Sequence, residues 1–309
     1  MGGYALSAVS RVSVVHDTQR YPRLTRSAEM PRRGLPSSLA AVSCSSATMT
    51  VWASAWLAGT AAPDDVLDAL EPWAAAHDVV AADDETARLA GLPGPADMPT
   101  SIPFLLAALR KIGDGMPSSI RLVLPVPGDV RGMPSTGAFS RAAIEQGHGV
   151  LLVDIGYGLI PTPVADGLLR WTLYSVLEVV APDEHLHLGE AEFALREQVR
   201  QSASTLTSLG VARHRPGVRQ EIENALRARP RSLWPDGMPA QALRVLQHAD
   251  EVEAILAAAS VDHPGGALSA SAAQARADAL RPLTTAVRVA RRAAVAEAVR
   301  VLAGIAGRR

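Results

Sequence analysis

The apolar positions of this chain follow two rhythms, and the change comes near residue 182. Downstream of Pro182 they step by three and four, the spacing of one helix face. Leu188, Ala191, Leu195, Val199, Ser202, Leu206 and Leu209 form one such stripe, and Val245, Ala249, Val252, Leu256 and Ala259 a second. Beyond the turn Asp262-His263-Pro264-Gly265-Gly266, a longer stripe runs through Leu280, Leu283, Val287, Ala290, Ala294, Ala298, Val301 and Ile305. Together they predict a helical bundle, or an antiparallel pair of long helices, over 183–309.

Upstream the apolar runs are short and mixed. Val51–Leu57 reads as a first strand. Pro63-Asp64-Asp65 opens a helix, because proline suits the first helical position and acids favour the positive end of the helix dipole. Asp83–Leu89 predicts a second short helix, and the Pro/Gly-rich stretch 91–103 a loop. Thr100 or Ser101 caps a further helix carrying Phe104, Leu105, Leu109 and Ile112, closed by Gly113. Ser119–Val126 and Val150–Ile155 read as buried strands, with a helix over Phe139–Gln146 between them. That order predicts a right-handed βαβ crossover with the two strands parallel. Leu168–Val176 alternates like a strand, a short amphipathic helix being the alternative. The expected fold class is α+β (or α/β): a small mixed sheet with a βαβ unit over 49–182, followed by an all-α domain over 183–309.

Residues 1–48 fit neither rhythm. Six Arg face only Asp17 and Glu29 there, and serine is abundant. They are expected to be a disordered or poorly ordered leader, with Met49 a candidate translation start. Two alternatives stay open. Acid-poor Arg/Ser-rich leaders are similar to organelle transit peptides. Arg32-Arg33 followed by Ala41-Val42-Ser43-Cys44 is similar to a twin-arginine lipoprotein signal, interrupted by Pro36.

Charge sharpens this division. The net charge of −1 conceals +4 over residues 1–48, −8 over 49–182 and +3 over 183–309. An acidic middle region repels phosphate, which disfavours nucleic acid as a partner. No apolar run reaches the roughly 20 residues of a membrane span. Aromatics are 4% of the chain, so the core must be built from Ala, Val and Leu. A single cysteine, Cys44, excludes an internal disulfide and fits a soluble cytoplasmic protein.

Several chemistries are excluded outright. The sole lysine lies in Arg110-Lys111-Ile112, so there is no Gly-Lys-Ser/Thr phosphate loop and no convincing pyridoxal phosphate lysine. No His-Glu-x-x-His occurs. Gly156-Tyr157-Gly158 starts like a dinucleotide fingerprint, but Pro161 takes the third glycine position. Met133-Pro134-Ser135-Thr136-Gly137 lacks the first glycine of a hydrolase elbow. No cofactor is implied.

Three candidate sites remain. Ligands collect at the carboxyl ends of parallel strands, so loops after the two buried strands would bring Asp129 and Arg131 beside Asp154 and Tyr157. Carboxylates next to an arginine suit a polar or anionic small molecule, or acid–base work. His185 and His187 would share a face on a strand and bind a metal, but would diverge on a helix. Arg281, Arg288, Arg291 and Arg292 fall within about a third of the last helix's circumference. That face is either solvated or a docking surface for the acidic middle region or for an acidic partner. The leading expectation is a non-catalytic interaction or regulatory protein with a protein partner or self-association. The rival is a small-molecule-binding enzyme at the Asp129/Arg131/Asp154 edge.

Overall fold

The computed structural model describes residues 45–113, 120–177, 187–209, 217–228, 234–261 and 270–306. Its first element is helical. Helix α1, Ser45–Leu57, replaces the strand expected at Val51–Leu57, and all of its residues are buried. A short apolar run reads alike as strand or buried helix, so spacing alone misleads here. Its Ser, Thr and Ala residues leave room for neighbours on every side. Buried hydroxyls find partners nearby: Thr50 Oγ1 donates to Ser46 O at 2.7 Å, and Thr48 Oγ1 accepts from Trp73 Nε1 at 3.0 Å.

Helix α2, Pro63–Leu70, starts where proline and two aspartates place it, with Asp65 Oδ2 accepting from Ala62 N at 2.7 Å. A 3₁₀ turn at Glu71–Trp73 leads to strand β1, Ala76–Ala81. Helix α3 spans Asp84–Ala90, its first turn capped by Asp83 Oδ1 accepting from Thr86 N at 2.8 Å. Helix α4 spans Ile102–Ile112. Strand β2 (Ile120–Val123), helix α5 (Gly137–Gln146) and strands β3 (Gly149–Leu152), β4 (Tyr157–Ala165) and β5 (Leu168–Ser175) follow. Then come helices α6 (Leu188–Ser208), α7 (Val218–Ala228), α8 (Ala240–Val261) and α9 (Ala270–Ala306). The fold is α+β: a mixed five-stranded sheet, then a helical C-terminal region.

The sheet order is β1-β5-β4-β3-β2, and β1 with β5 is its parallel pair. The βαβ expectation is corrected: β2 and β3 pair antiparallel, Ile120 opposite Leu152 and Val123 opposite Gly149. The stretch from Leu124 to Thr136 is long enough to bring α5 back to either end of β2. Helix α5 packs on β4 and β5 instead of bridging parallel neighbours. Strand β4 was hidden by Pro161 and Pro163. Beyond Leu159 it pairs with β5 alone, so missing proline N–H groups cost no ladder bond on the open side.

Alternate strand residues feed separate cores. Ile120, Val150, Leu152, Leu159, Trp171 and Leu173 pack with α1, α2 and α4. Val123, Leu151 and Ile160 pack on the other face with Phe139 and Ala143 of α5. Helix α1 lies between the sheet and the C-terminal helices. Its Met49, Trp52 and Trp56 join the first core, whereas Ala47, Val51 and Ala55 join a third core with Leu122, Leu124 and residues of α6, α8 and α9. The two rhythms of the sequence therefore meet in a shared interior.

Gly158 shows how tightly the α5 face closes. A Cβ there would lie 2.3 Å from Phe139 Cε2, and Phe139 is 2% exposed. Gly158→Ala should cost about 1–3 kcal/mol in urea unfolding through overpacking. Adding Phe139→Leu should recover part of that loss. An unchanged midpoint for the single variant would show that the ring moves aside freely.

Candidate functional site

The segment Leu124-Pro125-Val126-Pro127-Gly128-Asp129 folds into a tight turn. Val126 N donates to Asp129 O at 3.1 Å, and Asp129 N donates to Val126 O at 2.9 Å. Proline presets the first corner, and Gly128 supplies φ of 86° at the second. The turn holds Asp129 against two guanidinium groups. Arg131 grips it with Nε on Oδ1 at 2.9 Å and Nη2 on Oδ2 at 3.1 Å. Arg288 reaches across from α9, its Nε and Nη2 donating to Leu124 O at 2.9 and 2.6 Å, and Nη1 to Asp129 Oδ2 at 3.4 Å.

The structure thus joins two of the three sequence candidates at one place. The electrostatics follow from that contact. The Arg131 hydrogen bonds hold the Asp129 carboxyl far below the usual carboxylate range, with Arg288 adding to the effect. Such a group remains an anion through neutral pH and does not serve as a general base there. Burial lowers the Arg288 pKa, and the charge of Asp129 opposes that shift.

Asp154 and Tyr157 lie elsewhere. Because β2 and β3 run antiparallel, Asp129 follows the end of β2 beside Gly149, while Asp154 follows the opposite end of β3, beside Ile120. Tyr157 is buried at the start of β4, and its pKa is raised by burial and then by the charge of Asp83. The expected four-residue edge is therefore split, for want of the parallel pair on which it depended.

The arginine stripe is corrected as well. Arg281 is exposed and pairs with Asp278 at 2.7 Å. Arg288, Arg291 and Arg292 are only 5%, 1% and 8% exposed, so they are not a solvated face. Arg291 Nη2 binds Asp250 at 2.5 Å and Glu253 at 3.2 Å, tying α9 to α8. His187 stands just before α6, whereas His185 lies outside the described residues. Among the described residues no group of three or more His, Cys, Asp or Glu side chains could hold a metal ion.

Two histidines that stand alone in the sequence sit on or beside the sheet, His148 buried and His77 half-buried. Trp171 Nε1 donates to His77 Nδ1 at 3.2 Å, so His77 Nε2 carries the proton and donates to Leu70 O at 3.0 Å. Burial lowers its pKa. His148 Nδ1 lies 2.8 Å from Ser46 Oγ, and burial pushes its pKa down to about 4. Both belong to the packing; Ser46 is fully buried, which denies a substrate access to it.

A different surface does face solvent. The Pro/Gly loop after α3 runs along the β1 edge: Ala81 N donates to Pro93 O, and Val79 exchanges both backbone bonds with Thr100. The edge is closed by the chain itself. In closing it, the loop leaves Met98 87% exposed and Phe104, in the first turn of α4, 64% exposed. Phe104 is one of the apolar residues this helix carries, but Ile102, Leu105, Leu106 and Leu109 fill the core without it.

Comparisons with known proteins agree on one family. The model described as "Rv1486c-like protein, N-terminal domain" matches residues 46–185, and "Rv1486c-like protein, C-terminal domain" matches 189–292. Protein Rv1486c of Mycobacterium tuberculosis is 40% identical over 281 residues, spanning 82% of this chain and 96% of the relative. Protein ML1804 of Mycobacterium leprae is 35% identical over 288 residues, with the same coverage. Protein MAV321 of Mycobacterium avium is 32% identical over 297 residues. No solved structure gives a significant match.

Proposed function

We propose a non-catalytic interaction or regulatory role for this chain, which belongs to the Rv1486c-like family. The observation that carries the reading is the exposure of two large apolar side chains, Met98 in the loop that closes β1 and Phe104 at the start of α4. Large apolar side chains left in water beside a well-closed core favour a protein partner or self-association. The polar candidates support the same view, since Asp129, Arg288 and Arg291 serve to join the helical region to the sheet loop and α8 to α9.

The rival reading, a small-molecule enzyme at Asp129, Arg131 and Asp154, loses its support with the antiparallel pairing of β2 and β3. A division into 49–182 and 183–309 is part of the proposal, supported by the two family matches meeting between residues 185 and 189. The leader over 1–48 lies mostly outside the described residues. No described helix is long and apolar enough to cross a membrane. A cytoplasmic site of action rests on the single Cys44.

Affinity purification of the tagged full chain from its own cells tests this reading, with Phe104→Asp as the comparison. The wild type should retain a protein, or itself, that the variant loses by about tenfold or more, at unchanged circular dichroism. Equal recovery by both chains, or none by either, would remove the interaction role from this surface.

A further inference from the structure

Helix α9 has a weak turn where it leaves the core. Pro282 lies inside the helix and has no N–H to offer the carbonyl one turn back, that of Asp278. The next three carbonyls each accept from a side-chain hydroxyl: Ala279 O from Ser202 Oγ of α6 at 2.9 Å, Leu280 O from Thr284 Oγ1 at 3.3 Å, and Arg281 O from Thr285 Oγ1 at 3.4 Å. Hydroxyls that bond back within a helix weaken and bend the turn they touch. Burial changes at the same place. Among the described side chains of α9 none before Leu283 is buried, whereas Leu283, Val287, Ala290, Ala294 and Ala298 fill the core shared with α6 and α8. Ser202, 2% exposed, is in turn the last buried residue of α6.

We infer that α9 is jointed at Pro282: its first part, 270–281, swings away from α6 while the rest stays in the core, and Ser202 is the latch that holds it closed. The inference stands apart from the interaction reading above. Proline and inserted side-chain hydrogen bonds are the common causes of a bend within a helix, and both occur here in one turn. The first part buries little apolar surface, so little opposes its release. The Ser202 hydrogen bond crosses from α6 to α9 and therefore exists only in the closed position. Gln198 Nε2 donates to Ser202 Oγ at 3.3 Å, which leaves the hydroxyl proton for Ala279 O. Once released, a segment of about three turns is too short to stay helical in water by itself. Its amides then exchange with solvent, although the bundle is still folded.

The test is hydrogen–deuterium exchange on the full chain, read separately for the amides of 274–281 and of 287–302. In the wild type the first set should exchange at least about tenfold faster than the second. Ser202→Ala should speed the first set by about three- to tenfold and leave the second unchanged. Pro282→Ala restores the missing N–H and should slow the first set by about tenfold or more. In the Pro282→Ala background, Ser202→Ala should have less effect than it has beside proline, because latch and joint act on one opening. The control Thr205→Ala removes a hydroxyl that bonds Gln201 O within α6, and should change neither set. The inference is overturned if the two sets exchange alike in the wild type, or if Ser202→Ala speeds both equally. It is also overturned if Pro282→Ala does not slow the first set, if Ser202→Ala acts equally in both backgrounds, or if Thr205→Ala matches Ser202→Ala.

Discussion

Arg291→Ala should lower the stability of the protein by about 3–5 kcal/mol in denaturant unfolding, the largest loss expected from any single surface-to-core charge in the described structure. Arg291 is 1% exposed and holds Asp250 and Glu253 together on α8. Removing it leaves two neighbouring carboxylates, one of them nearly buried, with their common cation gone. The cost comes from weaker compensation of that carboxylate charge more than from the net worth of the pairs. Replacing the group as a whole separates these contributions. Arg291→Met with Glu253→Met and Asp250→Asn should recover most of the loss, since apolar residues of similar volume often match a buried ion pair. A single-variant loss under about 1 kcal/mol would mean that water reaches Asp250 and Glu253 and screens them.

The second large effect is a loss of stability on mild acidification. His148 has its folded pKa lowered to about 4 by burial, against 6.5 for the free side chain. Above pH 6.5 neither the folded nor the unfolded chain protonates it, and the stability is full. As the pH falls below 6.5 the unfolded chain takes up a proton that the folded chain refuses. Stability is then lost until about pH 4, by about 3 kcal/mol in all. His77 acts in the same sense, since its Nδ1 already accepts from Trp171 and burial lowers its pKa. His148→Gln keeps a polar partner for Ser46 but does not titrate. Urea midpoints at pH 7, 6, 5 and 4.5 should therefore fall more steeply for the wild type than for His148→Gln. Parallel curves would show that His148 is solvated in the folded chain.

Where sequence and structure parted, the reasons are local and physical. Phe104 fits the spacing of an apolar helix stripe, yet the core closes on Leu105, Leu106 and Leu109 and leaves it outside. Spacing tells which residues share a face, but not how wide a stripe the neighbours can cover. Asp129 and Arg288 stood in separate candidate sites, 159 positions apart, and became neighbours because α9 packs against β2. The segment that presents Asp129 reads in the sequence as a Pro/Gly loop, whereas its tight turn and its partner across the core do not. His77 and His148 gave no signal, because their meaning comes from Trp171 and Ser46, which are distant in the chain.

The sequence by itself determined the helices that carry their own start and stop signals, such as α2 behind Pro63 and α5 ahead of Gly147, and the steady stripes of α6, α8 and α9. It also determined a mixed sheet followed by helices, leaving α+β and α/β both open, because apolar period and caps are properties of neighbouring residues. Only the tertiary structure decided that Val51–Leu57 is helical, that β2 runs against β3, and that the arginines of α9 turn inward. Those outcomes depend on which surfaces meet across the core, and the energy of that meeting lies in pairs of residues far apart in the chain.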